Sequence, residues 1–272
     1  MIAACLKWVA TRPAVDPLTG GVDVDPRAAG ASEADRAALE WALRTGEAWS
    51  EEVVAFTLGP PAAGSVLREA LAVGVSRAVR IDAAPDIPSD MTAAALAGQL
   101  KSARAVWCGD ISLDRGSGSV PAFLAAHLEA EQATGLIAAE LGDGCVLAVR
   151  RLDGGRRERL HVRPIAVLSV EGATARLRRA SLTGEIAARR APITIVPGPV
   201  HKPVVEAITR PFRPRPRVLA PPPGVTARER IAALTAVSTA TAGRVDPVHL
   251  SPVEAADRLL AALADWGYRR PS

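Results

Sequence analysis

Cysteine, aromatic residues and long hydrophobic runs are all scarce in this sequence. Of its 272 residues only 3% are aromatic and three are cysteine. Cys5, Cys108 and Cys145 form no CxxC motif and no Cys/His cluster, which excludes a disulfide scaffold and favours reduced thiols in a cytoplasmic protein. No apolar stretch approaches the roughly 18 residues of a membrane span. The start, "MIAACLKWVATRP", lacks the regions of a signal peptide.

The charge balance is only mildly basic. Lys and Arg number 33 against 29 Asp and Glu, and the excess is mostly arginine in the C-terminal half. Because few aromatic residues are present to stack on bases and no nucleic-acid motif is recognisable, we expect no nucleic-acid partner. Walker and GxGxxG motifs, a Ser/His/Asp triad and paired metal ligands are also missing from the sequence. No catalytic motif can therefore be assigned from the sequence.

The first half of the chain alternates between strand-like and helix-like segments. Four apolar, β-rich runs are separated by segments of helical spacing, and they lie near residues 2–9, 52–58, 77–81 and 104–108. Ser65 is predicted to cap the second helix, Gly74 to end it, and a later helix is expected over residues 121–131. Helices between buried strands favour parallel pairing. The predicted fold is α/β, a doubly wound parallel sheet.

The second half has a different pattern. The sequence "CVLAVRRLDGGRRERLHVRPIAVLSV" predicts two antiparallel strands joined at Asp153-Gly154-Gly155, followed by a more apolar strand. From residue 197 the chain becomes rich in proline, which suits an extended arm, and two short helices are expected near residues 228–237 and 252–266. We therefore predict an α/β domain over residues 1–196 and an arm over residues 197–272 that packs on a partner subunit.

A loop rich in glycine and serine follows the fourth predicted strand. In "CGDISLDRGSGSVPAF", Gly116, Ser117, Gly118 and Ser119 offer small side chains and free N–H groups just before a helix. Such a loop at the carboxyl end of a parallel strand is typical of phosphate binding. The alternative is that the glycines only form a tight turn from strand to helix. Residues 5–8, 58–59 and 109 would line the same sheet edge.

Six ordered segments within residues 2–196 resemble the β subunits of electron transfer flavoproteins. "CLKWV" is similar to their Val-Lys-x-Val strand, and "ALEWALR" to their Ala-Leu-Glu-Glu-Ala-Leu helix. "LGPPAAGSVLREALAVGVSRAV" is similar to "GPxxAxxxLRxALAMGADRA", and "CGDISLDRGSGS" aligns without a gap on "CGxQAxDGDTGQ". The Asp-Gly-Gly hairpin and "RRASLTGEIAARRAPITI" also follow family patterns. The segments "CLKWV" and "DPLTGGV", together with the abundance of alanine, arginine and proline, resemble the actinobacterial branch of the family that is associated with mycofactocin systems.

The resemblance implies a doubly wound sheet of the HUP-like, adenine-nucleotide-binding type, and a heterodimer whose α subunit holds the redox-active FAD. It also implies a second adenine nucleotide in the β subunit, either AMP or, in electron-bifurcating members, a second FAD. Carried over by position, the nucleotide-binding residues are Cys5, Ser32, Glu33, Ala34, Asp35, Leu58, Gly109, Asp114, Arg115, Gly116, Ser117, Gly118 and Ser119.

This chain departs from the family pattern at two places in that site. The family's Asn-Pro at the start of the first helix is Ser32-Glu33, and its "DGDTGQ" loop is "DRGSGS". Arg115 therefore adds a cation that is able to pair with a phosphate. These changes leave the identity of the nucleotide open.

The resemblance also implies that Leu182 docks the protein onto partner dehydrogenases. An exposed apolar anchor flanked by charges, here Arg178 and Arg179, suits a transient redox complex. The alternative is a leucine buried where its loop folds back. At the level of function, the rivals to an electron carrier are a stand-alone adenine-nucleotide sensor of the universal-stress type and an adenylating enzyme. The sensor would lack the hairpin, the Leu182 segment and the arm.

Overall fold

The structure is a computed structural model that describes residues 1–23, 25–201, 222–235 and 250–266. The chain divides into two compact units, Met1–Phe212 and Arg213–Ser272, each of which is described by itself. Within the described ranges, no helix has both the length and the apolar character needed to cross a membrane.

One sheet organises the first unit. Its nine strands among the described residues are β1 (Ile2–Cys5), β2 (Val53–Gly59), β3 (Arg77–Asp82), β4 (Ala105–Gly109), β5 (Glu131–Leu141), β6 (Val146–Arg151), β7 (Arg157–Val162), β8 (Ala166–Val170) and β9 (Thr194–Pro197). They lie in the order β7-β6-β5-β8-β4-β1-β2-β3-β9. Neighbours are parallel except in the antiparallel pairs β5–β6 and β6–β7. The predicted α/β fold with a mostly parallel sheet is confirmed.

Helices cover both faces of this sheet. The unit contains α1 (Glu33–Trp49), α2 (Gly64–Ala72), α3 (Ser89–Gln99), α4 (Val120–Leu128) and α5 (Leu182–Arg190). Side chains of β1 alternate: Ile2 and Ala4 pack in the apolar cluster with α1 and α2, whereas Ala3 and Cys5 pack in the cluster with α3 and α4. Alternation of this kind, with both faces buried, is what a parallel sheet between two helical layers requires.

Short elements complete the first unit. Four two-residue strands lie between β1 and α1, where Val9–Ala10 pairs with Ala29–Gly30 and Ala14–Val15 pairs with Val22–Asp23. Single 3₁₀ turns occur at Pro26–Ala28, Pro61–Ala63, Asp153–Gly155 and Gly172–Thr174. The turn at Asp153–Gly155 joins β6 to β7, so the hairpin expected from Asp-Gly-Gly is present.

Two local predictions were wrong. Helix α4 ends at Leu128, because Glu129 turns left-handed with φ 51°, and Glu131 already begins β5. The sequence analysis did not predict β5. This strand pairs along its two edges with β6 and β8, and both lie later in the chain. Ser65 is not a cap either, since α2 begins at Gly64 and the Ser65 hydroxyl donates to the Ala62 carbonyl.

The second unit contains two helices within its described residues. These are α6 (Ala227–Thr235) and α7 (Pro252–Asp265), close to the predicted positions. Ser251 and Glu254 form a capping box at the start of α7. Much of the proline-rich part of the predicted arm falls at residues 202–221, and these residues, like 236–249 and 267–272, lie outside the described residues. The domain boundary at residue 197 stays a prediction.

Candidate functional site

The strand order reverses beside β1. From β1 the chain proceeds to β2 and β3 on one side, and then returns to place β4 on the other. At the carboxyl ends Cys5 lies opposite Phe56 of β2 and opposite Cys108 of β4. A reversal of this kind separates the connections that follow two neighbouring strands and leaves a crevice, where open α/β sheets bind their ligands. A cleft is present here and contains about 850 Å³ outside the protein atoms, part of it open to solvent.

The cleft brings together most of the predicted nucleotide residues. Those that line it are Cys5, Asp35, Leu58, Gly109, Arg115, Ser117, Gly118 and Ser119. The remaining predicted residues flank the lining. Ser32 and Ala34 contact Asp35 or Gly109, Gly116 belongs to the glycine-serine loop, and Asp114 bonds to Lys7, whereas Glu33 is exposed and pairs with Arg36.

One side of the cleft is apolar. It is lined by Cys5, Phe56, Leu58, Ile87, Leu96 and Cys108, which are buried or half-buried. The hydrogen bond with the neighbouring Cys5 thiol, together with burial, raises the pKa of Cys108, so this thiol is protonated at neutral pH. Thr57 also lies among the lining residues, and its buried hydroxyl has no hydrogen-bond partner within the described part of the chain. The apolar side suits a flat organic ring system.

The loop before α4 forms another part of the cleft lining. Gly116 and Gly118 have φ of +64° and +58°, a backbone region that glycine enters without strain. A Cβ on Gly118 would lie only 2.6 Å from the Asp110 carbonyl oxygen. Ser119 precedes α4 without making a side-chain capping hydrogen bond. The first N–H groups of α4 are therefore not capped by this side chain, which favours a bound anion.

Lys7 is a site residue that the sequence analysis did not single out. Its ammonium donates to both oxygens of Asp114 at 2.7 Å, and to the Ser112 hydroxyl at 3.4 Å. Burial alone would raise the pKa of Asp114, but the hydrogen bonds from Lys7 and Ser112 outweigh it and lower the pKa to about 2. The position of Lys7 directly after a buried strand was the available signal. The Lys7 side chain therefore places a cation at the cleft.

Arg115 connects the loop to the far side of the cleft. Its guanidinium donates to the carbonyl oxygens of Asp86 at 2.6 Å and Ile87 at 2.9 Å, in the segment between β3 and α3. A phosphate would have to compete with these two acceptors for the guanidinium. Two successive residues therefore hold the loop in place: Asp114 by its ion pair with Lys7, and Arg115 by its hydrogen bonds to the segment between β3 and α3.

Asp35 is a buried carboxylate at the start of α1. It forms a capping box with Ser32, in which the Ser32 N–H and hydroxyl donate to Oδ2 and the Asp35 N–H donates to the Ser32 hydroxyl. Burial raises the pKa of Asp35 to about 6, and the hydrogen bonds from Ser32 offset only part of that rise. The site therefore contains an acid that titrates close to neutral pH.

The Leu182 segment forms a separate surface of the first unit. Leu182 begins α5 and is 78% exposed, so the alternative of a buried leucine is excluded. A Cβ on Gly184 would lie 2.5 Å from the Ala72 carbonyl oxygen, which shows how closely α5 approaches the end of α2. Ile186, one turn after Leu182, is 50% exposed.

The two predicted docking arginines differ in their environment. Arg179 is exposed. Arg178 is half-buried and donates to Glu40 at 3.0 Å and to Glu47, both on α1. Burial alone would raise the pKa of Glu40, but the hydrogen bonds from Arg178 and Arg44 lower it overall. Arg178 therefore ties the segment to the domain, and Arg179 is the charge exposed beside Leu182.

The fold is α/β and doubly wound, with a cleft at the point where the strand order reverses. The sequence model of the electron transfer flavoprotein domain matches residues 24–200. Protein FixA of Bradyrhizobium diazoefficiens is 29% identical over 171 residues, which span 58% of this chain and 59% of that relative. The chain therefore belongs to the electron transfer flavoprotein family, and its six matching segments place it with the β subunits.

Proposed function

We propose that this chain is the β subunit of a heterodimeric electron transfer flavoprotein. It binds an adenine nucleotide in its cleft and helps to carry electrons from dehydrogenases, through the FAD of an α subunit, to an acceptor. It works in the cytoplasm and supplies no catalytic group of its own. The observation that carries this proposal is the cleft at the β1/β4 switch point, which joins an apolar side to a glycine loop at a helix start.

The residues of the cleft fit an adenosine phosphate. The apolar side around Phe56 and Cys108 would hold the base, and the N–H groups of residues 117–119 with the start of α4 would hold phosphate. A Cβ at Gly118 would occupy part of the cradle, and the partnerless Thr57 hydroxyl is one that a ligand could satisfy. AMP and FAD both present this chemistry, so both stay candidates for the β-subunit site.

The second unit supports an association with an α subunit. The two helices among its described residues carry large apolar side chains that are exposed when the chain is considered alone, among them Ile231, Leu234, Val253, Leu259 and Leu263. Exposed apolar faces of amphipathic helices need a cover in water. We expect residues 197–272 to pack on the α subunit.

Nucleotide analysis of the purified complex tests the assignment. The chain is co-expressed with the protein encoded beside it, and the nucleotides released by denaturation are separated by chromatography. Equal amounts of FAD and AMP indicate the ordinary carrier, and two FAD per heterodimer indicate a bifurcating type. A chain that purifies alone with an adenine nucleotide and without flavin absorption is instead a stand-alone sensor.

Leu182→Ala tests the docking role. An exposed anchor contributes about 1–3 kcal/mol to a transient interface, so electron transfer from the donor dehydrogenase should slow by roughly ten- to hundredfold at subsaturating protein. Leu18→Ala is a matched control, because Leu18 is 83% exposed and lies outside the segment. Neither variant should shift the melting temperature. Equal rates for the two variants would place the docking surface elsewhere.

Exposed charges beside Leu182 should affect the rate at which the two proteins associate rather than the lifetime of their complex. Arg179→Gln is expected to weaken the dependence of the transfer rate on salt concentration while leaving the rate at high salt nearly unchanged. Stopped-flow reduction over a series of salt concentrations measures this. An unchanged salt dependence would remove Arg179 from the docking surface.

A further inference from the structure

One oxygen of the buried Asp35 carboxylate is not used by the helix cap, since Ser32 bonds to Oδ2 alone. Asp35 is 5% exposed, and Ser32 supplies two donors to its Oδ2, at 2.8 Å and 3.3 Å. The backbone N–H of Lys7 is a third donor near the carboxylate. A carboxylate accepts about four hydrogen bonds, so Asp35 retains capacity for a further donor. Within the described residues no side chain bonds to its Oδ1.

The unused oxygen lies at the cleft. A Cβ built on Gly109 would be 3.0 Å from Asp35 Oδ1, and both residues are part of the cleft lining. Because residue 109 is glycine, no side chain stands between the carboxylate and the end of β4. The helix cap explains Oδ2 but not this placement of Oδ1.

Asp35 reaches the end of β4 at Gly109, one residue after Cys108 of the apolar side and one residue before Asp110. It enters from α1, on the sheet face opposite the apolar side chains of Cys5 and Cys108, which pack with α3 and α4. Going towards the phosphate loop, Gly109 is followed by Asp110, whose carbonyl oxygen abuts Gly118. The part of a nucleotide that lies between base and phosphate is the sugar.

Charge selects the group that Asp35 accepts. An ionised carboxylate repels phosphate and accepts hydrogen bonds from hydroxyl or amino donors, and a bond to a charged acceptor is stronger than one between neutral groups. We propose, on the basis of the nucleotide site proposed above, that Asp35 accepts a hydrogen bond from a ribose hydroxyl and thereby makes the site selective for ribonucleotides over deoxyribonucleotides.

Competition binding tests this inference on the full-length chain in complex with its α subunit. AMP, 2′-deoxy-AMP, 3′-deoxy-AMP and inosine monophosphate displace a fluorescent adenine nucleotide from the parent and from the variants. We expect the parent to prefer AMP over at least one deoxy analogue by roughly ten- to hundredfold, the range for loss of a charged hydrogen bond. In Asp35→Asn the preference should fall to within about threefold, because the amide carries no charge.

Two further variants separate binding from folding. Asp35→Glu keeps the charge and a capping-box residue at the third helical position, but moves the carboxylate by one methylene, so ribose preference should fall while α1 stays capped. Asp90→Asn removes an exposed carboxylate from the first turn of α3 and should leave the preference unchanged. The readout is a ratio of affinities within one variant, so a partly unfolded sample does not alter it.

The outcomes distinguish this inference from the proposed function. Equal binding of AMP and both deoxy analogues by the parent, or a ribose preference that persists in Asp35→Asn and Asp35→Glu, overturns the role of Asp35 and leaves the nucleotide site standing. If the substitutions abolish discrimination against inosine monophosphate instead, Asp35 faces the amino group of the base and the ribose assignment is wrong. A parent complex that binds none of these nucleotides overturns both proposals.

Discussion

Gly118→Ala should damage the nucleotide site and destabilise the loop that forms it. Gly118 has φ +58°, and a side chain in this region costs about 1–2 kcal/mol. The new Cβ would also lie 2.6 Å from the Asp110 carbonyl oxygen, where ordinary van der Waals contact begins at 3.4 Å, so about 0.8 Å must be gained by moving backbone. The loop that presents N–H groups to the phosphate then loses its shape. We expect a total cost of about 2–4 kcal/mol.

Gly116→Ala provides a matched control in the same loop. Gly116 also has a left-handed backbone, with φ +64°, but the nearest atom to its Cβ would be the Ser112 carbonyl oxygen at 3.9 Å. This substitution carries the backbone strain without the clash. The difference between the two variants therefore measures the close approach of Gly118 to Asp110.

Isothermal titration of the complex with AMP measures the effect. Because each 1.4 kcal/mol corresponds to a tenfold change in affinity, Gly118→Ala should weaken binding by roughly thirty-fold or more, and Gly116→Ala by less than about tenfold. At about 2–4 °C per kcal/mol, the melting temperature of the nucleotide-free protein should fall by about 2–8 °C in Gly116→Ala and by about 4–16 °C in Gly118→Ala. Equal affinities for the parent and both variants would refute the assignment of this loop to phosphate.

Three further substitutions test other contacts. The pKa of Asp35 is about 6 in the folded chain and 3.8 for an unperturbed aspartate, so folding takes up a proton between pH 3.8 and about 6. The free energy of unfolding of the parent should therefore fall by about 3 kcal/mol as the pH rises through this range. Urea unfolding of nucleotide-free Asp35→Asn should lack this fall. Arg178→Gln leaves the buried Glu40 with one cation fewer and should cost about 1–3 kcal/mol in the same assay, whereas an unchanged midpoint would show that the ion pair is dispensable. Arg115→Met removes the donors to the Asp86 and Ile87 carbonyls and should speed nucleotide release by about tenfold in a chase experiment; unchanged release would show that this bridge does not hold the loop closed.

Local sequence signals were sufficient for much of the fold. The apolar runs that became β1, β2, β3 and β4 are short and bounded by loop residues, and burial on both faces explains their uniform hydrophobicity. Gly74 follows the end of its helix with φ +111°, a conformation that glycine adopts readily and that makes glycine typical of this position. The glycine-serine loop was recognisable because positive φ and close backbone approach both require glycine.

Other features were invisible in the sequence because they depend on partners distant along the chain. Strand β5 has little alternation of its own and exists because β8 and β6 pair with its two edges. Arg178 and Arg179 are adjacent and chemically identical, yet only Arg178 reaches carboxylates that lie more than 130 residues earlier in the chain.

The site divides in the same way. Sequence alone determined which residues follow the strands and which loop can approach an anion, because strand ends, caps and glycine conformations are local properties. Only the tertiary structure decided that Lys7 pairs with Asp114, that Arg115 bonds to the segment between β3 and α3, and that Asp35 turns one oxygen towards the cleft. Those contacts join separate elements, and their charges and burial are set where the elements meet.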